Sequence, residues 1–387
     1  MSEDRSLEGL RILGFCDYFT EESSGGAEKV TAEVYARLIE KGAKARVVTT
    51  VPGIPSGEAT PWGIPTAFAP GRDLSRVLHA QVALAPGLLG LGKREIAGFR
   101  PDVLHASGLH FQSSLAASIL ARRRDLPLVT TGHIGSVAEM PGLIRVATST
   151  YERSVGRFIL KSSSRVIAVS QAVADHMVFL GARPELVQVV PNGVDHDRFF
   201  PGSDSGVRVG FVFVGRLINN KGPDEVLDAF VTVSRSDATL TFIGDGPMRT
   251  ELESKVNRLG MQNRVKFTGH TDDVAGLLRS ADVMIRPSRT EGQSLAILEA
   301  MASEVTVIAS DIPPNRELLG DGERGLLVRA GDQDGLSRAM GNILSDEGLR
   351  VRLASTAREF AALLTWDRCA EGTGRVLAAA AGREEAQ

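Results

Sequence analysis

The stretch Asp282–Ala302, DVMIRPSRTEGQSLAILEAMA, decides how this chain folds. Asp282–Pro287 reads as a short apolar strand that stops at a proline, Ser288–Gln293 as a polar loop, and Ser294 as the N-cap of a helix over Leu295–Ala302. A strand feeding a loop and then a helix N-terminus delivers two things to one place. One is Glu291. The other is the row of backbone N–H groups at Gly292, Gln293, Ser294 and Leu295, an end with positive partial charge that suits a phosphate. Glu299 follows Glu291 by eight residues, about two turns into the helix, so both carboxylates can face one ligand without touching.

An acid beside an anion site is contradictory unless the ligand carries hydroxyls and phosphate together, as a nucleotide-sugar does. Carboxylates accept from sugar and ribose hydroxyls while amides and basic side chains hold the diphosphate. A solvated Glu at a buried helix end is the plain alternative, and the basic company upstream weighs against it. Val209–Val214 reads as a buried strand, Gly215-Arg216-Leu217-Ile218-Asn219-Asn220-Lys221-Gly222 follows, and Pro223 opens a helix, where proline is favourable. Arg216 and Lys221 thus share one loop between strand and helix, as a diphosphate clamp requires. Further on, Leu240–Ile243 runs into Gly244-Asp245-Gly246-Pro247 before a helix from Met248, and Val265–Thr268 runs into Gly269-His270.

The same strand, loop and helix order opens the chain. Arg11–Cys16 is apolar, Asp17–Gly26 turn-rich and Ala27–Lys41 helical, with Gly25 and Gly26 able to admit a ligand close to the backbone. Their spacing is not G-x-G-x-x-G, which disfavours a dinucleotide fingerprint. Ala45–Thr50, Val103–Ala106, Leu128–Thr131 and Val166–Val169 read as strands, alternating with helices near Gln112–Arg124, Leu143–Leu160 and Gln171–Gly181. Val51–Arg72, rich in Pro and Gly, reads as an irregular excursion. The alternation predicts a parallel, doubly wound sheet with ligands at the strands' carboxyl ends. His105 and His133 fall at such ends, although His105 can equally be a hydrogen-bonded edge residue, and Glu139 stands in a loop nearby. Turn formers from Pro191 to Gly206 mark a linker, and Trp366 begins the last helix.

Together, EGxSLxxLEAMA with its paired glutamates, the GRL-x3-KG unit, PNGVDxxRF and the GDGP turn resemble the family 4 retaining glycosyltransferases (glycosyl transferases group 1), over nearly the whole chain. One departure stands out: many members carry Gly or Pro where this chain has Ser294. The resemblance implies an α/β protein of GT-B architecture, with two Rossmann-like doubly wound domains facing across a cleft. Residues 1–200 would bind the acceptor, 201–365 the donor, and 366–387 would form a helix crossing back to the first domain. It further implies that Gly25 and Gly26 lie near the reacting phosphate, that Gly215, Arg216 and Lys221 meet the leaving diphosphate, and that Gly244 and Gly246 turn beneath the nucleotide. The backbone at Gly269 would meet the base, Glu291 the donor-sugar hydroxyls and Glu299 the ribose diol, while His133 steadies the sugar. Apart from the resemblance, Glu139 stands where it could reach the acceptor, although nothing in its spacing demands it.

The expected reaction is transfer of a hexosyl unit from a UDP-sugar or GDP-mannose type donor to a hydroxyl of a lipid-linked or small-molecule acceptor. The expected mechanism is a front-face substitution that retains anomeric configuration. No cofactor or divalent metal is expected: no D-x-D motif stands where a metal would replace the cations, and Asp272-Asp273 reads as a helix cap. A sugar-nucleotide epimerase of similar shape would turn over donor without acceptor and fits these motifs less well. A non-catalytic nucleotide-sugar binder is disfavoured by the intact set Arg216, Lys221, Glu291 and Glu299.

At 387 residues the chain can form two ordinary domains, and 43% hydrophobic with 24% charged residues describes a globular protein. A net charge of −3 argues against general nucleic-acid binding. The two cysteines, Cys16 and Cys369, imply neither a disulfide framework nor a metal cage, and Met1–Gly9 is hydrophilic, so a cytoplasmic location is expected. Arg122-Arg123-Arg124 ends a helix, where cations complement the dipole. With Arg153, Arg157, Lys161 and Arg165 it can alternatively form a basic patch for peripheral contact with the inner face of a membrane.

Overall fold

The computed structural model of the protein describes residues 5–21, 25–73, 83–137, 142–202, 209–233 and 238–383. Two compact units divide the chain, one made of residues 1–135, 142–192 and 366–387, the other of 136–141 and 193–365. Each is a mostly parallel sheet flanked by helices.

In the first unit β1 (Arg11–Phe15), β2 (Lys44–Pro52), β3 (Gly57–Ala59), β4 (Thr66–Asp73), β5 (Ala83–Leu84), β6 (Val103–Ser107), β7 (Leu128–Gly132), β8 (Arg165–Ala168) and β9 (Val187–Val189) form one sheet. Their order is β3-β4-β2-β1-β6-β7-β8-β9, with β5 paired to β4. Only β3 and β5 run antiparallel to β4 among the described pairings. The central strands are near-continuous apolar runs because helices cover both faces. Helix α1 (Gly26–Glu40) follows β1, α2 (Gln112–Arg124) follows β6, and α3 (Gln171–Leu180) follows β8.

Two expectations fail here. The stretch Val51–Arg72 is not irregular, because β4 pairs with β2 from Val47 opposite Thr66 to Pro52 opposite Gly71. Pro70 and Gly71 disguise the strand, yet Gly71 is what lets it close up: a Cβ there would stand 2.4 Å from the Thr50 hydroxyl. The helix expected over Leu143–Leu160 is two helices, Gly142–Tyr151 and Arg157–Ser162, joined by a π-turn over Glu152–Gly156. Glu139 lies outside the described residues.

In the second unit β10 (Gly210–Val214), β11 (Thr239–Ile243), β12 (Val265–Gly269), β13 (Val283–Arg286), β14 (Thr306–Ser310) and β15 (Leu326–Val328) are all parallel, in the order β12-β11-β10-β13-β14-β15. The chain runs outward from β10, returns to lie beside it as β13, and continues to the other edge. That reversal is the Rossmann arrangement. Helix α4 (Pro223–Thr232) follows β10 and α5 (Leu295–Ala302) follows β13. Asp273 caps the helix Val274–Arg279 by accepting the Gly276 N–H at 2.9 Å.

Helix α6 (Trp366–Ala380) belongs to the first unit and packs against α1. Gly374 permits the contact, since a Cβ there would stand 2.9 Å from Leu38. No helix among the described residues is long and apolar enough to cross a membrane. The docking of α6 can be measured. Leu377 is fully buried, so Leu377→Ala should cost about 2–5 kcal/mol in denaturant unfolding, while Arg375→Ala, exposed on the same helix, should stay within about 0.5 kcal/mol. Equal, small effects would mean that α6 contributes no core.

Candidate active site

Sheets of this kind bind ligands at the carboxyl ends of the strands where the order reverses. In the second unit that point lies between β10 and β13. The loop after β10 carries Arg216 and Lys221, and the loop after β13 carries Glu291. The structure brings them together. Lys221 Nζ donates to Glu291 Oε1 at 2.8 Å, and Arg286 donates to the same oxygen through Nε and Nη2, each at 3.0 Å. Arg286 Nη1 also donates to the Val214 carbonyl, tying the ends of β10 and β13. The three side chains are between 7% and 16% exposed, so the cluster is largely out of water.

Charge in this cluster does not balance. Burial alone would raise the Glu291 carboxyl, but the Lys221 ammonium and the Arg286 guanidinium overcome it and hold it down at about 2. For Lys221, burial outweighs the attraction of Glu291, and the like charges of Arg286 and Arg216 add to it, so the ammonium is pushed down to about 8. One carboxylate holds two buried cations, Lys221 and Arg286. A partly desolvated site short of negative charge favours an incoming anion.

The glycines shape this crevice. Gly215 has φ +143°, and a Cβ there would stand 2.2 Å from Arg286 Nη1. Gly244 has φ +129°, and its Cβ would stand 2.2 Å from the Gly215 carbonyl oxygen. A Cβ on Gly246 would fall 2.5 Å from the Leu217 carbonyl oxygen, and Gly269 accepts the Gly244 N–H at 3.0 Å. These residues let the ends of β10, β11 and β12 stack tightly. On the other side, Ser294 caps α5 by accepting the Ile297 N–H at 3.5 Å, a long bond. Gly292 and Gln293 precede the cap, Leu295 is the first helical residue, and Glu299 is buried on the helix behind it.

In the first unit the residues singled out from sequence fall at the carboxyl edge of β1, β6 and β7. Gly25 caps α1, its N–H donating to Glu28 Oε2 at 2.8 Å, and Gly26 is the first helical residue. His133 Nε2 lies 3.0 Å from the Ser107 hydroxyl, which lies 2.7 Å from Thr31 Oγ1. Burial pushes the His133 imidazole down to about 4, so it is neutral at ordinary pH. His105 is fully engaged in the core, with Tyr35 at 2.9 Å on Nδ1 and Thr131 at 2.8 Å on Nε2. That makes it a structural residue.

Sequence reasoning missed three groups. Asp17, after β1, accepts the Gln112 and Ser113 N–H groups at 2.9 and 3.1 Å, so a residue of another loop caps α2; burial raises its carboxyl to about 6. Glu152, inside the π-turn, takes His110 Nε2 at 2.9 Å and His176 Nε2 at 3.2 Å on one oxygen. Burial opposes its ionisation, yet the two histidines hold it at about 2. Arg286 is the third. Its signal was present, a cation in the last place of an apolar strand that ends at a ligand edge.

Comparison with known proteins agrees with this geometry. Residues 24–198 match the model of Glycosyltransferase Family 4, and residues 197–360 match that of Glycosyl transferases group 1. The D-inositol 3-phosphate glycosyltransferase of Xylanimonas cellulosilytica is 28% identical over 399 residues, covering 94% of each chain. The glycogen synthase of Mycobacterium tuberculosis is 28% identical over 319 residues, 80% of this chain and 76% of that one. Among solved structures, Anabaena Alr3699/HepE in complex with UDP superposes with a TM-score of 0.76 at 21% identity, covering 96% of this chain and 100% of that one. Sucrose-phosphate synthase from Thermosynechococcus elongatus gives 0.78 at 21% identity, covering 94% and 97%. Two Rossmann-like units, with consecutive family matches across them, lead to one conclusion: this chain belongs to the family 4 glycosyltransferases (glycosyl transferases group 1), built on the GT-B fold.

Proposed function

We propose that the protein is a metal-independent, retaining hexosyltransferase that uses a nucleotide-diphosphate sugar of the UDP-sugar or GDP-mannose type. The observation that carries this reading is the surplus of positive charge at the carboxyl edge of β10 and β13, where Glu291 alone holds both Lys221 and Arg286, with Arg216 a further like charge on Lys221. A diphosphate supplies the missing negative charge. Structures of HepE hold UDP, UDP with glucose, and UDP-glucose, which supports a sugar nucleotide as donor.

In this reading the bond from the sugar's anomeric carbon to the diphosphate breaks, and Arg216, Lys221 and the N-terminus of α5 stabilise the leaving charge. The acceptor hydroxyl attacks on the same face, its oxygen bonds to the anomeric carbon, and its proton passes to the departing phosphate oxygen. Glu291 bonds the donor-sugar hydroxyls, and Glu299 the ribose diol. His133, being neutral, steadies the sugar by hydrogen bonding. The acceptor is a hydroxyl of a lipid-linked or small molecule, and the reaction takes place in the cytoplasm. The exposed Arg122, Arg123, Arg124, Arg153, Arg157, Lys161 and Arg165 favour peripheral contact with the membrane's inner face.

Four measurements test this reading. Glu299→Ala should weaken donor binding roughly 10- to 150-fold with kcat little changed, since hydrogen bonds to a charged group are worth about 1.5–3 kcal/mol and the ribose is remote from the chemistry. Glu291→Gln should lower kcat while nucleoside-diphosphate affinity, measured by calorimetry, holds or rises, because Lys221 loses its competing carboxylate. The reverse pattern would mean the two roles are exchanged. Turnover should survive dialysis against EDTA; loss restored by manganese or magnesium would overturn the metal-free mechanism. Finally, the protein should sediment with phosphatidylglycerol vesicles at low salt and be released at high salt, and failure to sediment at low salt would remove the membrane contact.

A further inference from the structure

Arg286 ends a strand whose other residues, Val283, Met284 and Ile285, are wholly buried, and is itself only 6% exposed. Packing alone gives such a position no use for a cation, and a guanidinium withdrawn from water is costly unless partnered. Its guanidinium lies over the ring of the core residue Phe213, 5.8 Å from the centroid, but its hydrogen-bond partners belong to the crevice. Nη1 holds the Val214 carbonyl at the end of β10, while Nε and Nη2 both hold Glu291 Oε1. The room for this fork comes from Gly215, where any Cβ would stand 2.2 Å from Nη1.

The consequence lies in how Glu291 is shared. Its Oε1 accepts from Lys221 as well as twice from Arg286, so no one donor owns the carboxylate. Without Arg286, Lys221 and Glu291 would form a closed pair that an incoming diphosphate must break. With it, Lys221 is held beside a like charge and is readily drawn to an anion. We propose that Arg286 is a positioning residue of the donor site: it pins Glu291 for the donor's sugar and keeps Lys221 available to the donor's diphosphate. This rests on the donor reading of the crevice given above.

The test is calorimetric binding of UDP, GDP and ADP, and of the glucose or mannose nucleotide of whichever base binds, from pH 6.5 to 9.5. In the unmodified protein, unliganded Lys221 sits at about 8. A bound diphosphate favours the ammonium, so affinity should fall as pH rises through about 8, approaching tenfold per pH unit. Arg286 is one of the charges that lower Lys221. Arg286→Met should therefore move this break upward by about one pH unit. It should also weaken nucleoside-diphosphate binding at pH 7 and shrink the affinity advantage of the sugar nucleotide by about tenfold. Arg286→Lys keeps the charge but loses the two-pronged grip, so its break should stay near pH 8 while the sugar advantage is still lost. An Arg286→Met protein that keeps both the break and the sugar advantage would overturn the proposal and leave Arg286 a packing residue. If Arg286→Met does not fold, Arg286→Lys decides, and an unchanged sugar advantage there overturns it. Failure of the unmodified protein to bind any of the three nucleoside diphosphates would instead remove the donor reading itself.

Discussion

The second unit depends on one shared atom. Glu291 Oε1 takes an ammonium and both arms of a guanidinium fork, and through them joins the loop after β10 to the loop after β13. Charges this far from water are costly, and replacing such pairs with apolar residues is often neutral or stabilising. A cluster with more cations than carboxylates is poorer still as a device for stability. Its presence at the reversal point of the sheet makes sense if its charge is completed by a ligand, and a ligand bound only by the folded state adds stability by mass action.

That cluster in turn constrains the backbone around it. Arg286 can lie across β10 because Gly215 has no side chain, and Gly215 can adopt φ +143° for the same reason. Gly244 then stacks beneath it, with φ +129° and its own missing Cβ facing the Gly215 carbonyl. Two glycines separated by 29 positions are thus one structural feature. A side chain at either would push the strand ends apart and misplace the guanidinium, so binding and folding make the same demand on these positions.

The unequal legibility of the sequence has physical causes. Parallel strands covered on both faces are short apolar runs, and Arg11–Phe15, Val103–Ser107, Leu128–Gly132 and Gly210–Val214 are readable to within a residue or so. The helix Leu295–Ala302 was readable because Ser294 caps it. Thr66–Asp73 was not, since its Pro and Gly are tolerated by pairing that only the tertiary fold supplies. The π-turn at Glu152 was invisible for a similar reason. Its partners, His110 and His176, are 42 and 24 residues away. In the candidate site, the spacing of Lys221 and Glu291 pointed to a shared ligand, but nothing local showed that they would also hold each other, or that Arg286 would lie between them.

The two units differ in the kind of polarity they offer. At the carboxyl edge of the second unit the groups are charged and their charges are strongly coupled. At the corresponding edge of the first, His133, Ser107 and Thr31 form a chain of neutral hydrogen-bonding groups. Burial keeps His133 neutral until the pH falls to about 4, and protonating it would place a cation in a desolvated site. His133 can therefore orient a hydroxyl but cannot supply positive charge to a leaving group at ordinary pH. In the proposed reaction, stabilisation of the departing diphosphate falls to Arg216, Lys221 and the end of α5.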